Sequence, residues 1–442
     1  MGDRLRGSIR PRPGPPSVNS ISPRELRPAI EQLFTPAAHA HTGPGVVGAE
    51  LELIPQRGKP DGTLEPLPLT TLVEFLESRI PGSEFRLVPG DRPAFDVDSG
   101  GTLTFEPGGQ LEYSGPPRPT AREAGADLRR VLGPLRRAFG AAGIELDDAG
   151  ISDPGVMGSI DLQQPNLRYE AMDSWLSRVG PWGRWMMRRS ASMQVNIDLG
   201  TPEQLRERWR AANLLVPVLG GAFANSPLLL PDGTRAASGR LWIWPRTDPS
   251  RTGFVLPPPG GDPVDAYLEF ALGAAVMLRG SGPGLQPGDG RSFSEWIAEP
   301  RDREPGIEDW ITHLTTLFPH VRPRTWVELR FIDTPREEWW DVPLVILSAV
   351  LYDDDARTAI TELLSPTEPR LDELTELAAL TGVSDPELGE LAESVFRIAL
   401  DAAKRMPADY FGAAQVSAAD GFLSRFTSRR RSQADEAVRA AG

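Results

Sequence analysis

The sequence predicts an α+β fold built as one large domain, and three observations carry the prediction. Four segments alternate apolar and polar residues with a period of two, which is the strand signature. Between them lie stretches of helical spacing that open on capping residues. Past Pro335 the chain reads as helical almost to its end. No internal repeat and no linker between compositionally distinct halves divides the 442 residues. The expected organisation is a disordered Pro-rich lead over 1–20, one domain over 21–430 whose helical portion starts at about 336, and a tail over 431–442.

The elements follow in chain order. Ser22-Pro23-Arg24-Glu25 is a capping box with proline in the first turn, so a helix runs to about Phe34. In GVVGAELELI (45–54) Val47, Ala49, Leu51 and Leu53 share one face, and Glu50 and Glu52 share the other. In TFEPGGQLEYSG (104–115) Leu103 and Phe105 oppose Glu106, and Leu111 and Tyr113 oppose Gln110 and Glu112. Thr120 and Glu123 open a helix with Leu128, Val131, Leu132, Leu135 and Phe139 on one side. In ASMQVNIDL (191–199) Met193, Val195, Ile197 and Leu199 oppose Ser192, Gln194, Asn196 and Asp198. Thr201, Pro202 and Gln204 start a helix toward Leu219. The Gly/Pro-rich stretches 255–263 and 280–290 read as long loops. In WVELRFID (326–333) Val327, Leu329 and Phe331 oppose Glu328 and Arg330. The expected tail helices cover 336–352, 355–364, 370–381, 385–405 and 417–440.

Composition narrows the chemistry. A net charge of −14 and a pI near 5.0 argue against nucleic acid as a partner, because phosphate backbones demand basic surfaces. Cysteine is absent, which excludes disulfides, thiolate nucleophiles, zinc–thiolate sites and iron–sulfur clusters. The four histidines, His39, His41, His313 and His320, do not suggest a His-rich metal site, so any metal is expected on oxygen ligands. Lys59 and Lys404 are the only lysines, so phosphates and carboxylates must be bound by arginine. The longest apolar run, VPLVILSAVLY (342–352), is too short to span a membrane, and the N-terminus lacks the apolar core of a signal peptide. A cytoplasmic monomer is expected.

The polar faces of the four strands carry Glu, Gln, Asn, Asp and one Arg, where a solvated face would favour Thr, Lys, Arg and Ser. A wet surface explains any one strand. Four with the same bias point to a ligand face. Clustered carboxylates repel one another, and a divalent cation relieves the repulsion. Mg²⁺ keeps waters and binds nucleotide phosphates, so Glu50, Glu52, Glu106 and Glu112, with Gln110, suggest Mg²⁺ with ATP. Pro107-Gly108-Gly109 reads as a bulge or turn that brings backbone close to the ligand. No Walker-type loop occurs. Arg240 and Arg251 in GRLWIWPRTDPSRTG (239–253) are candidates for phosphate charge, with Trp242 and Trp244 as an aromatic wall. His313 reads as a structural hydrogen-bonder, and no Ser/His/Asp arrangement stands out.

Taken in order, GAELEL (48–53), TFEPGGQLEYSG (104–115), RYEAM (168–172), MMRRSASMQVNID (186–198), ANSPLL (224–229), RLWIWPRTDPSRTG (240–253) and HLTTLFPHVRPRTWVELRFID (313–333) resemble the glutamate–cysteine ligases of plant and actinobacterial type. The resemblance covers roughly 25–430 and leans toward the actinobacterial enzymes that make γ-glutamylcysteine for ergothioneine. It implies a glutamine-synthetase-like curved antiparallel sheet with flanking helices, so that 21–430 is a single ligase domain. It implies ATP-dependent joining of L-glutamate to L-cysteine through a γ-glutamyl phosphate. By this analogy Glu50, Glu52, Glu106 and Glu112 hold Mg²⁺ and ATP phosphates with Gln110 beside them. Arg240, Arg251 and Arg330 neutralise phosphoryl or carboxylate charge, Gln194 and Asn196 contact substrate, and Arg168, Tyr169 and Met172 line the amino-acid pocket. Tyr113 stands where a smaller aliphatic residue is usual, Trp242 where plant relatives have histidine, and Arg188-Arg189 is unusually basic. A different amine acceptor and a non-catalytic relative stay open. A glycosidase carboxylate pair needs neither four acids nor phosphate-binding arginines.

Overall fold

The computed structural model describes residues 21–36, 44–59, 63–79, 85–90, 92–152 and 160–441. The lead over 1–20, His39 and His41 lie outside them. The strands are β1 Val47–Gly58, β2 Leu64–Pro66, β3 Phe85–Val88, β4 Ala94–Val97, β5 Thr102–Phe105, β6 Leu111–Ser114, β7 Glu145–Asp147, β8 Ser192–Ile197, β9 Leu228–Leu229, β10 Arg235–Ala236, β11 Leu278–Arg279, β12 Gln286–Pro287, β13 Val321–Pro323 and β14 Val327–Asp333. Ten of them form one sheet in the order β13-β14-β8-β1-β6-β5-β4-β3, with β2 and β7 paired to the far end of β1. Its pairings are antiparallel. β9 with β10 and β11 with β12 make two small ribbons.

One face of the sheet is apolar, as the alternation predicts. Leu51, Leu53, Met193, Val195, Ile197, Val327 and Leu329 are all fully buried there. The helices Ala121–Ala141, Pro202–Ala222 and Asp341–Tyr352 pack on that side. Asp341–Tyr352 contains the longest apolar run of the sequence and is buried all round, the pattern of a core helix. Among the described residues no helix is long and apolar enough to cross a membrane. Tyr113 belongs to this face. It is fully buried, and its hydroxyl donates to Asp127 Oδ2 at 2.6 Å, so its polar tip is satisfied inside the core.

The cap signals place the helix starts. Thr201 forms a complete capping box, Glu25 accepts from the Ser22 amide at 2.8 Å, and Thr120 accepts from the Glu123 amide. Two local expectations change. The helix expected over 336–352 starts at Asp341, after a 3₁₀ turn at Glu337–Trp339. The helix expected over 417–440 is two, Ala413–Arg425 and Gln433–Ala441, separated by a 3₁₀ turn at Thr427–Arg429 and by Arg430 at φ 55°. The left-handed step lets the Arg430 guanidinium reach the Gly389 carbonyl at 2.6 Å and Glu393 at 3.0 Å on the preceding long helix.

β14 departs from simple alternation. Leu329 pairs with Val195, but Ile332 pairs with Met193, so one extra residue is inserted in β14. Phe331 therefore is not the third member of a regular apolar row. Arg330 shares the polar face with Glu328 and donates to Gln194, and the slip brings Asp333 opposite Ser192 on that face.

Candidate active site

Strand register assembles an acidic wall. Glu50 and Glu52 project from the same side of β1, and β6 sets Glu112 opposite Glu52 and Ser114 opposite Glu50. On the other flank β8 sets Gln194 opposite Glu50. The neighbours hold each carboxylate in place. Asn196 Nδ2 donates to Glu50 at 2.9 Å, and the Ser192 amide and Gln194 Nε2 donate to Glu52 at 2.7 and 3.3 Å. Thr104 and Ser114 hydroxyls each donate to Glu112 at 3.0 Å.

Glu106 comes from the turn between β5 and β6. The turn closes through Glu106 N to Gln110 O and Gly109 N to Glu106 O, both at 2.8 Å. Gly109 sits at φ 89°, where a side chain is strained. A Cβ on Gly108 would lie 2.2 Å from the Arg188 carbonyl oxygen, so the Pro-Gly-Gly break packs against protein backbone. Gln110 completes the fastening. Its Oε1 accepts from the Gly108 amide at 3.0 Å, and its Nε2 donates to Ser190 O at 2.8 Å and Met187 O at 3.4 Å.

Burial and mutual repulsion act on this wall together. Burial, then the charges of Glu328 and Glu112, push Glu50 up to about 7. Glu52 is raised by burial, with Arg240 and Arg330 pulling the other way. Glu106 is raised well above the usual range by burial and by Glu112 and Glu52, and Glu112 by burial and Glu52. Glu52, Glu106 and Glu112 each offer an oxygen, and those atoms all lie within 4.8 Å of one another. Close, buried or half-buried, oxygen-only donors fit a hard divalent cation such as Mg²⁺.

A basic pole faces the acids. Glu328 on β14 is buried and accepts from Arg322 Nε at 2.5 Å and Arg330 Nη1 at 2.9 Å, with Arg324 Nε at 3.6 Å. Those arginines outweigh its burial and hold it well below the usual carboxylate range. Arg330 also donates to Gln194 Oε1 at 2.8 Å, and the charges of Glu50 and Glu52 favour its cation, so it bridges the two poles. Arg240 reaches in from the helix Gly239–Thr247, donates to the Arg330 carbonyl at 2.6 Å and lies 4.8 Å over the Trp244 ring. At the rim Arg92 donates to the Tyr169 hydroxyl at 2.8 Å, and Arg168 to Thr315 Oγ1 at 2.9 Å. Burial, and then Arg92 and Arg324, lower Arg168. Together these groups line a cavity of about 650 Å³.

Of the residues singled out in the sequence, Glu50, Glu52, Glu106, Gln110, Glu112, Arg168, Tyr169, Met172, Gln194, Arg240 and Arg330 line this one cavity. Asn196 stands behind Glu50 as its donor. Arg251 is elsewhere. It is fully buried and spends its donors on Asp248 at 2.7 Å, Thr316 O at 3.0 Å and the Ala275 carbonyl, which makes it a core ion pair instead of a phosphate ligand. Trp244 lines the cavity, but Trp242 packs on Trp182 at 4.8 Å and under Arg246 at 3.9 Å. His313 is a buried hydrogen-bonder to Ala271 O at 2.8 Å. Sequence reasoning missed Glu328, Arg322 and Arg324 as site residues, although Glu328 shares parity with Arg330 and the arginines precede it in VRPR. It also missed Arg92, which no local pattern marks, and the apolar lining of Met186, Met187 and Phe318.

Comparisons with known proteins identify the family of the chain. The profile of glutamate-cysteine ligase family 2 (GCS2) matches residues 47–415, which contain every site residue named above. The glutamate–cysteine ligase EgtA of Mycolicibacterium smegmatis is 33% identical over 364 residues, 79% of this chain and 82% of its own length. EgtA of Mycobacterium tuberculosis (strain H37Rv) is 34% identical over 331 residues, 72% of this chain and 73% of its own. The chloroplastic glutamate–cysteine ligase of Arabidopsis thaliana is 29% identical over 357 residues, 78% of this chain and 68% of its own. With its acids and arginines gathered around one cavity and the family profile spanning most of its length, the chain belongs to glutamate–cysteine ligase family 2.

Proposed function

We propose that this protein joins the γ-carboxylate of L-glutamate to the amino group of L-cysteine at the expense of ATP, giving γ-glutamylcysteine, ADP and phosphate. The observation that carries the reading is the opposition of poles: three carboxylates within 4.8 Å on one wall, and Arg322, Arg324, Arg330 and Arg240 on the other. Such a site is built from opposed charges. It positions anions and neutralises charge, which is what phosphoryl transfer asks of a protein.

Glu52, Glu106 and Glu112, with Glu50 beside them, would hold Mg²⁺. When bound, Mg²⁺ supplies positive charge to the phosphate oxygens. Arg330, fixed by Gln194 and Glu328, presents a cation between the poles. There it would steady the γ-phosphoryl group while a glutamate carboxylate oxygen forms the new P–O bond and ADP leaves. In the second half the amine nitrogen forms the C–N bond and gives up a proton to the departing phosphate, which leaves with the electrons of the broken C–O bond. Arg168 and Arg92 at the rim would orient a substrate carboxylate. Met172, Met186, Met187 and Phe318 give the cavity apolar surface that excludes water from the activated carboxyl. A polar site on one face of an antiparallel sheet also supports a glutamine-synthetase-like reading of the fold.

The test is an assay with ATP, Mg²⁺ and L-glutamate, with and without L-cysteine, following ADP and product mass. The expected result is ADP release that needs both amino acids, with γ-glutamylcysteine formed. Turnover only with other amines would replace cysteine as acceptor. No turnover with any amine would overturn the ligase reading.

A further inference from the structure

Asp333 ends β14 fully buried below the cavity floor, and it is not a lining residue. Its carboxylate gathers two segments distant in sequence. Oδ2 accepts from the Asn225 amide at 2.9 Å and the Ser226 hydroxyl at 2.6 Å, and Oδ1 accepts from the Ser238 hydroxyl at 3.1 Å. Ser238 caps the helix Gly239–Thr247 by accepting from the Leu241 amide, and Ser226 Oγ accepts from the Arg240 amide at 3.2 Å. Arg240 Nη1 stands 4.0 Å from Asp333 Oδ1, and both side chains are buried. The space around the carboxylate is closed, because a Cβ on Gly150 would come within 2.8 Å of the Asp333 side chain.

Arg240 is then held from both ends. Its backbone is fixed through Ser226. Its guanidinium is held between the Arg330 carbonyl at 2.6 Å, the Trp244 ring at 4.8 Å and the carboxylate beneath. A buried guanidinium needs a counter-charge, and Asp333 is the nearest one that does not belong to the acidic wall.

We propose that Asp333 is a positioning residue: it docks the first turn of the helix Gly239–Thr247 and aims Arg240 into the cavity as a charged, immobile group. The inference rests on reading this cavity as the ligase site. Asp333→Asn keeps the shape and removes the charge. The expected result is a loss on the order of 10²-fold in kcat, because misplacing a group that orients substrate has that effect. In the double variant with Arg240→Ala the two losses should not add, the mark of residues that act as a unit. A merely structural Asp333 would instead give additive losses. A crystal structure of Asp333→Asn should show the Arg240 guanidinium displaced from the Arg330 carbonyl. Arg240 unmoved in that structure, additive losses or wild-type kinetics would each overturn the proposal. Should Asp333→Asn fail to fold, Ser226→Ala removes the shortest bond to Asp333 and the link to the Arg240 amide, and its kinetic loss should likewise vanish in an Arg240→Ala background. Additive losses there would overturn it. The two readings fail differently: an unaltered protein without turnover sinks the ligase assignment, whereas an unmoved Arg240 sinks this one whatever the turnover.

Discussion

Glu52 and Glu112 face each other directly across the β1–β6 ladder, two carboxylates at one paired position. Like charges so placed destabilise a sheet, and Glu106 brings a third oxygen within 4.8 Å. Protons or a cation must relieve the repulsion. Mg²⁺ should therefore raise the melting temperature of the unaltered protein; a ligand at a hundred times its Kd adds about 2.7 kcal/mol. Glu112→Gln should shrink that shift and lower turnover by about 10²-fold or more, the scale of losing one electrostatic contact to the reacting groups. Unchanged turnover would remove Glu112 from the site.

Arg330 and Arg251 should part company when each is replaced. Arg330→Ala leaves Glu328 paired with Arg322, so the fold should survive while KM for ATP or glutamate rises and kcat falls. Arg251→Ala leaves Asp248 buried without its cation, a loss of about 3–5 kcal/mol for a broken buried pair. Denaturant midpoints and steady-state kinetics on both variants check the contrast. A stable Arg251→Ala protein with raised KM would put Arg251 back in the site.

Gly108→Ala removes no functional group, yet it should impair the enzyme. The added Cβ meets the Arg188 backbone at 2.2 Å, so the turn must move and carry Glu106 with it. Turnover should fall at least ten-fold, along with the Mg²⁺-dependent melting shift. Wild-type kinetics in Gly108→Ala would mean that the turn can relax without disturbing Glu106.

His313 supplies a pH signature. Burial, with Arg251 nearby, lowers it to about 3, so the folded protein keeps it neutral where the unfolded chain protonates it near 6.5. Its contribution is whole above about pH 6.5 and is lost as pH falls toward 3, at about 1.4 kcal/mol per pH unit. His320, likewise lowered to about 3, adds the same sign. Between pH 6.5 and 5, His313→Gln should flatten the fall of urea-unfolding free energy by about one proton. Parallel curves for the two proteins would contradict this.

The strand faces were legible because alternation is local: Leu51 and Leu53 had to part from Glu50 and Glu52 whatever the partners. The caps at Ser22, Thr120 and Thr201 were legible for the same reason. Arg251 was misplaced because an arginine beside aromatics looks alike in a phosphate site and in a core ion pair. Only the positions of Asp248, Thr316 and Ala275 separate the two. The Phe331 slip escaped because inserting one residue in β14 leaves its hydrophobicity unchanged.

By itself the sequence determined the secondary-structure periods, the oxygen-and-arginine chemistry forced by the absence of cysteine and the scarcity of lysine and histidine, and the likeness of its motifs to a ligase family. The tertiary structure decided which charges meet. It set Glu112 across from Glu52, drew Arg322 and Arg324 onto Glu328, brought Arg92 to Tyr169 and sank Arg251 away from the cavity. The reason is physical. A side chain's face follows from the few residues around it, whereas its electrostatic partners depend on strand register and on how separate segments are brought together.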